Sequence, residues 1–341
     1  MEVSMQDEAA EQLFRFDPTR REFLAFSTAP VAAALPREQF EPSYLRLGRT
    51  GELARRHSDL LAFYKACRLC PRACGVNRTR GEKGVCSSSD RAKVFSAHPH
   101  FGEERPLVGR GGSGTIFFSN CNLLCVFCQN WEINHRGDGA FVSDDALGRL
   151  MLDLQASGCH NINLVTPTHV LPNILGGLRA AIGLGLRLPL VYNCSGYEPL
   201  DVIRLLDGIV DIYLPDVKYM DGALAARFSN GARDYPERAK EAVREMYRQV
   251  GNLVVDRNGV ALRGLMIRHL VLPENIAGTD RFAAFVASEL SPQTYVNIMG
   301  QYRPAHQARR YPELSRPVTR AEFDQAIAWA KQAGLTRFDR L

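Results

Sequence analysis

Long hydrophobic runs are missing from this chain of 341 residues. Arg179 and Arg187 interrupt its most apolar region, so no stretch of about 18 uncharged apolar residues remains and a spanning helix is excluded. Charge of one sign is not concentrated either. The 42 Lys and Arg outnumber the 37 Asp and Glu, but the excess is spread without a polybasic block, which gives nucleic acid and membrane surfaces no footing. Internal repeats and low-complexity segments are absent, and 45% hydrophobic with 23% charged residues is a globular balance that excludes disordered and collagen-like classes. The length suits one large domain or a domain with an appended module.

Cysteine, by contrast, comes in groups. Seven of the nine cysteines form two clusters, Cys67, Cys70, Cys74, Cys86 and then Cys121, Cys125, Cys128. An odd total and gaps of two or three residues suit a metal better than a secreted disulfide framework. Cys159 and Cys194 stand alone and read as ordinary buried thiols.

The expected organisation has three parts. Residues 1–40 form an N-terminal extension in which Thr19-Arg20-Arg21-Glu22-Phe23-Leu24 leads to Ala32-Ala33-Ala34, a pattern similar to a twin-arginine export signal. Pro30 interrupts the apolar run and favours a plain amphipathic extension. Residues 41–110 hold a helical segment and the four-cysteine module. Residues 111–341 alternate short apolar runs with helical spacing, the pattern of parallel βα units in an α/β fold. Strands are expected at 115–120, 162–167, 188–194, 209–217, 265–272 and 294–301, and helices at 144–157, 169–183, 199–206, 235–250, 279–290 and 319–333. Thr319 with Glu322 caps the last of these. Such folds carry their chemistry at the C-terminal strand ends, where Asn120, Thr166, Thr168, Asn193, Ser195, Asp216, Lys218 and Gln301 fall. His160, His169 and His269 have no second histidine at metal spacing and read as packed or hydrogen-bonded. Arg268-His269 and Gln301-Tyr302 are candidates to face the lumen of the fold.

Cys121-x3-Cys125-x2-Cys128 follows the first of these strands directly. Three thiolates are one too few for a closed four-cysteine site, and an iron-sulfur cube held by three leaves one iron open. The motif, with Phe127 just before the last cysteine, resembles that of the radical S-adenosylmethionine (SAM) enzymes. From about residue 41 onward, the segments CRLCPRACGVNRTRGEKGVC, SNCNLLCVFCQNWEI, YLPDVKY and VNIMGQYRPAH look like the PflX-like branch related to pyruvate formate-lyase activating enzymes. The resemblance implies a partial (β/α)6 barrel and a [4Fe-4S] cluster on Cys121, Cys125 and Cys128 with SAM on the open iron. It also implies SAM contacts at Asp216 and Lys218, and at Asn193 and Ser195. The family's Gly-Gly-Glu motif after the second strand is replaced by Thr166-Pro167-Thr168-His169, so that contact falls to backbone or to the hydroxyls of Thr166 and Thr168. The function implied is hydrogen abstraction by a 5′-deoxyadenosyl radical, with a glycyl radical enzyme as one target and a small molecule or peptide as another. The implied partners are a low-potential electron donor such as flavodoxin or ferredoxin and a protein substrate. A cytoplasmic location is expected, since SAM and such donors are made there.

Cys67-x2-Cys70-Pro71-x2-Cys74-x11-Cys86 supplies four thiolates, enough to close a site on zinc or on a second [4Fe-4S] cluster. Arg68, Arg72, Arg78 and Arg80 beside them read as a solvated basic face. The non-enzymatic alternative is an interaction protein with zinc in both cysteine groups.

Overall fold

The computed structural model describes residues 37–339, so the twin-arginine-like segment lies outside the described residues. Ten strands are assigned in them: β1 (Lys93–His100), β2 (Ser113–Phe118), β3 (Ala140–Phe141), β4 (Ile162–Val165), β5 (Leu190–Cys194), β6 (Ile212–Pro215), β7 (Val254–Val255), β8 (Ala261–Leu270), β9 (Tyr295–Met299) and β10 (Arg337–Phe338). Their order is β10-β9-β8-β6-β5-β4-β2-β1-β3, with β7 alongside β8. The stretch β2-β4-β5-β6-β8-β9 is parallel throughout and contains the six strands read from the sequence. Among the described residues β10 and β3 do not pair, so the sheet is a partial barrel rather than a closed one.

Both faces of these strands are covered, which explains their nearly unbroken apolar runs. Every residue of β5 is buried. Outward-pointing Ile116, Leu164, Tyr192, Tyr213, Ile267 and Val296 join one core with the surrounding helices, including Asp144–Ala156, Leu171–Gly183 and Thr279–Glu289. Inward-pointing Val191, Ile212, Leu214 and Met266 plug the base of the lumen together with Leu107 and Leu253. Each fully buried aliphatic side chain of this kind contributes about 2 kcal/mol. The helices Asp144–Ala156 and Leu171–Gly183 approach so closely that a Cβ on Gly148 would meet the Gly177 carbonyl at 2.7 Å. Ser143 caps the first of them, and Thr319 with Glu322 forms the expected capping box.

β1 was not among the expected strands. Its sequence, KVFSAHPH, mixes polar residues with Pro99, carries a register irregularity between Val94 and Ser96, and is only partly buried. It runs antiparallel to β2, and the loop after it crosses the open side of the barrel. There Glu104 accepts from Asn297 Nδ2 at 2.9 Å, Arg105 N donates to Asp339 Oδ1 at 3.0 Å, and Glu103 stands 3.5 Å from Arg268.

Candidate functional site

β2 ends at Phe118, and the chain then turns sharply through Asn120 and Leu124, both with left-handed backbone (φ 75° and 55°). The loop is anchored by its alternate residues. Leu123 and Phe127 are buried in an aromatic cluster, with Phe127 edge-on to Tyr302 at 5.9 Å and to Tyr219 at 6.2 Å. Asn122 Nδ2 donates to the Tyr197 carbonyl, Val126 N to that of Phe228, and Gln307 N to that of Val126. With Leu123 and Phe127 inside, Cys121, Cys125 and Cys128 line one cavity of about 230 Å³ at the C-terminal ends of the parallel strands.

Burial pushes the Cys121 and Cys125 thiols up to about 11 and raises Cys128 as well. Donors oppose this around each sulfur. Leu123 N lies 3.4 Å from Cys121 Sγ, the Ser229 hydroxyl donates to Cys125 Sγ at 3.1 Å, and Asn134 Nδ2 donates to Cys128 Sγ at 3.3 Å. Sulfurs so surrounded are prepared to carry negative charge, as they do when bound to iron. His135 Nε2 donates to the Cys125 carbonyl at 3.1 Å and lies tilted against His306, which in turn stacks on Trp131.

The facing wall carries most of the residues singled out from the sequence. Thr166, Asn193, Ser195, Asp216, Lys218 and Gln301 all line the cavity, joined by Arg268. Burial alone would raise Asp216, but Arg268 Nε at 2.7 Å and Lys218 Nζ at 2.6 Å hold it below its ordinary value, so it is a carboxylate. Arg268 also donates to Asn193 Oδ1, leaving the buried Asn193 Nδ2 as a donor without a partner among the described residues. A carboxylate acceptor and an uncommitted amide donor on one wall suit a zwitterionic, hydroxyl-rich ligand such as SAM.

Other expectations resolve differently. Thr168 does not reach the cavity, because its hydroxyl is donated to buried Glu198 at 2.6 Å. Thr166 does, with its backbone in the left-handed region (φ 58°) that a β-branched residue rarely adopts. Arg268 faces the lumen but its neighbour His269 cannot, since successive strand residues alternate faces. His269 is packed outside on Phe282, donates through Nδ1 to Val217 O and accepts from Thr279. His169 is buried and donates to Ser119 O, and burial pulls both histidines down to about 4.

The four-cysteine group lies beside this loop, with Cys67, Cys70 and Cys86 buried and all four thiols free. A Cβ on Gly84 would meet Cys74 Sγ at 2.3 Å, so glycine there is what admits the fourth sulfur. Arg72 and Arg78 are not the solvated face expected of them. Arg72 is clamped among the carbonyls of Asn122, Leu123, Ser229 and Asn230. Arg78 is 1% exposed, donates to the His169 carbonyl at 2.7 Å and to Cys86 Sγ at 3.3 Å, and lies over the Tyr64 ring. No carboxylate is ion-paired with it among the described residues. A guanidinium stays charged in proteins and is costly to bury unpaired, and the sulfurs of Cys67 and Cys86 within its reach are groups that a bound metal would make anionic. An anionic metal-thiolate centre fits that requirement. Among the described residues no three Cys, His, Asp or Glu side chains close in on a single ion.

The sequence model of the Radical SAM superfamily matches residues 115–267, which covers the cysteine loop and β2 through most of β8. Uncharacterized protein MJ0674 of Methanocaldococcus jannaschii is 30% identical over 284 residues, covering 80% of this chain and 76% of that protein. Among solved structures, the radical SAM methyltransferase from Sphaerobacter thermophilus aligns with a TM-score of 0.45 at 15% identity over 67% of each chain. SuiB of Streptococcus suis aligns with a TM-score of 0.43 at 12% identity, over 64% of this chain and 46% of that one.

Proposed function

We propose a function from one premise, that this chain belongs to the radical SAM superfamily. The proposed activity is hydrogen abstraction from a substrate after reductive cleavage of SAM. The observation that carries it is the convergence of Cys121, Cys125 and Cys128 with Asn193, Ser195, Asp216 and Lys218 on one cavity. When bound, a [4Fe-4S] cluster and SAM supply one-electron cleavage of the sulfonium to methionine and a hydrogen-abstracting 5′-deoxyadenosyl radical.

In this reading Cys121, Cys125 and Cys128 would hold the cluster, and SAM would lie between it and the polar wall. Asp216, kept ionised by Arg268 and Lys218, accepts from an ammonium or ribose hydroxyl. Asn193 Nδ2 donates to a ligand oxygen, with Arg268 fixing the orientation of the amide. Ser195, Thr166 and Gln301 complete the polar wall, and Leu270 and Met299 give it an apolar flank.

Reduction calls for a low-potential donor, with flavodoxin or ferredoxin proposed. Among the described residues no helix is long and apolar enough to cross a membrane. A cytoplasmic site of action is proposed because SAM and such donors are available there. The proposed hydrogen donor is a glycine of a partner protein, as the resemblance to activating enzymes suggests. The four-cysteine group is proposed as a second metal centre. Four thiolates beside the buried Arg78 suit either zinc or a second [4Fe-4S] cluster.

The test is anaerobic reconstitution, reduction and incubation with SAM. The unaltered chain should release 5′-deoxyadenosine, and the variant with Cys121, Cys125 and Cys128 all changed to Ala should release none. Equal release from both would sink the assignment. Deuterium carried into 5′-deoxyadenosine from a labelled candidate protein, but not from labelled small molecules or peptides, would support the glycyl target.

A further inference from the structure

A second cavity, of about 150 Å³, lies behind the cysteine loop, and we propose that it binds a phosphoryl group. Four cations line it: Lys83, Arg91, Lys93 and Arg136. No carboxylate lines it among the described residues. Asp138, outside the lining, pairs with Arg136 and also lies close enough to Lys93 to interact with it, which leaves Lys83 and Arg91 as the cations to which an anion seated here would supply a counter-charge.

These cations are not equally engaged. Arg136 is held by both oxygens of Asp138, through Nε at 2.9 Å to each. Lys93 donates to the Gly137 carbonyl. Arg91 and Lys93 also lie over the Phe141 ring, 5.3 Å and 5.6 Å from its centroid. Lys83 and Arg91 have no ion pair among the described residues, so both remain available to a ligand. Hydroxyls supply the rest of the wall through the consecutive Ser87, Ser88 and Ser89. Ser87 has left-handed backbone (φ 56°), which folds this tripeptide tightly around the cavity just after Cys86.

The chemistry selects a tetrahedral oxyanion. A phosphoryl group carries up to two charges and three acceptor oxygens, enough for several cations and hydroxyls at once, whereas a carboxylate offers two oxygens and one charge. At about 30 Å³ per water, the cavity holds a phosphoryl group and the first atoms of whatever bears it. Both inorganic phosphate and a phosphate ester satisfy this description. The location couples the ligand to both cysteine groups: Asn120, immediately before Cys121, lines the cavity and donates through Nδ2 to Ser88 Oγ at 3.2 Å, two residues beyond Cys86.

The test is calorimetric titration of the full, cluster-loaded chain with inorganic phosphate, pyrophosphate and glycerol phosphate, using acetate as the control. Phosphate should bind at least about tenfold more tightly than acetate, and Lys83→Ala with Arg91→Ala should weaken phosphate at least tenfold. Arg91→Lys should retain most of the binding, and Arg309→Ala, an exposed arginine elsewhere, should change nothing. Tighter binding of glycerol phosphate than of phosphate identifies an ester as the ligand, and the reverse order identifies the free ion. Equal binding of acetate and phosphate, or a double variant that binds phosphate unchanged, overturns the proposal. Unchanged iron content certifies that the double variant is folded, and Arg91→Gln alone carries the comparison if it is not. Because the readout is binding, it stands or falls separately from SAM cleavage.

Discussion

The guanidinium of Arg72 donates to the carbonyl of Asn122 at 3.1 Å, so a residue between the second and third cysteines of one group grips the loop that carries the other. The same side chain holds Ser229 O, next to the hydroxyl that donates to Cys125 Sγ. The two cysteine groups are therefore one mechanical unit, although each contains its own sulfurs.

Arg72→Ala should loosen the triplet without emptying the quartet. Hydrogen bonds from a charged donor contribute about 1.5 to 3 kcal/mol each, and no other side chain replaces these. The expected result, read by iron analysis and electron paramagnetic resonance, is loss of cluster signal from the Cys121 loop with the other centre intact. Arg72→Lys should recover only part of it, because an ammonium cannot span four carbonyls.

Ser229→Ala removes the hydroxyl donor to Cys125 Sγ. Hydrogen bonds to cluster sulfurs favour the reduced, more negative state, so the potential should fall, by on the order of 50 mV for about 1 kcal/mol of differential stabilisation. A redox titration with spectroscopic detection reads this directly. A potential that stays put would mean that the hydroxyl does not act on the cluster.

Destroying the triplet should leave a metal centre on Cys67, Cys70, Cys74 and Cys86, since four thiolates complete a site without the barrel cluster, and about four irons per chain would identify a second cluster. About one zinc instead would assign a structural staple. Cys70→Ala should lower stability and solubility in either case, since metal binding and folding of such a module are coupled by roughly 10 kcal/mol. If neither metal remains, the quartet is not an independent centre.

Glu198 supplies a pH dependence. Burial pushes its carboxyl up to about 8, against partial compensation from the Thr168 and Tyr192 hydroxyls. Its folded value lies above its unfolded one, so the folded chain binds the extra proton between about pH 4.5 and 8, and stability must fall as pH rises through that window. The slope from this group is at most about 1.4 kcal/mol per pH unit. Glu198→Gln keeps both hydroxyl contacts and removes the titration. Its melting temperature relative to the unaltered chain should therefore rise from pH 5 to pH 8, and a constant difference would refute the assignment.

The cysteine loop and the six parallel strands were legible because their signals are local: a spacing of thiols, and apolar runs long enough to cross a covered sheet. Strand-end polar residues were legible for the same reason, and Asn193, Ser195, Asp216 and Lys218 do meet on one wall. What escaped depends on contacts distant in sequence. Ser229 reaches Cys125 across more than a hundred positions, and nothing in its neighbours marks it as a sulfur donor. Arg78 reads as surface charge because arginine usually is, and its buried partners, the His169 carbonyl and Cys86 Sγ, are visible only in the fold. Thr168 lies in the short 3-10 turn after β4, where its hydroxyl is committed to Glu198, a contact that periodicity does not encode. β1 was hidden by Pro99 and its broken alternation, since an antiparallel edge strand need not satisfy two apolar faces.

Cover over the three sulfurs of the cysteine loop is uneven: Cys121 and Cys125 are buried, whereas Cys128 is only partly so. Dioxygen and peroxide arriving from solvent meet that corner first. Handling in air should then leave a chemical record in a fixed order, with sulfenic and sulfinic acid on Cys128 before its two neighbours. Peptide mass spectrometry over a time course would recover that order. A preparation that has lost activity but carries oxidised Cys128 alone would be an early casualty, still open to repair by reduction and fresh iron while its damage has not passed the sulfenic stage.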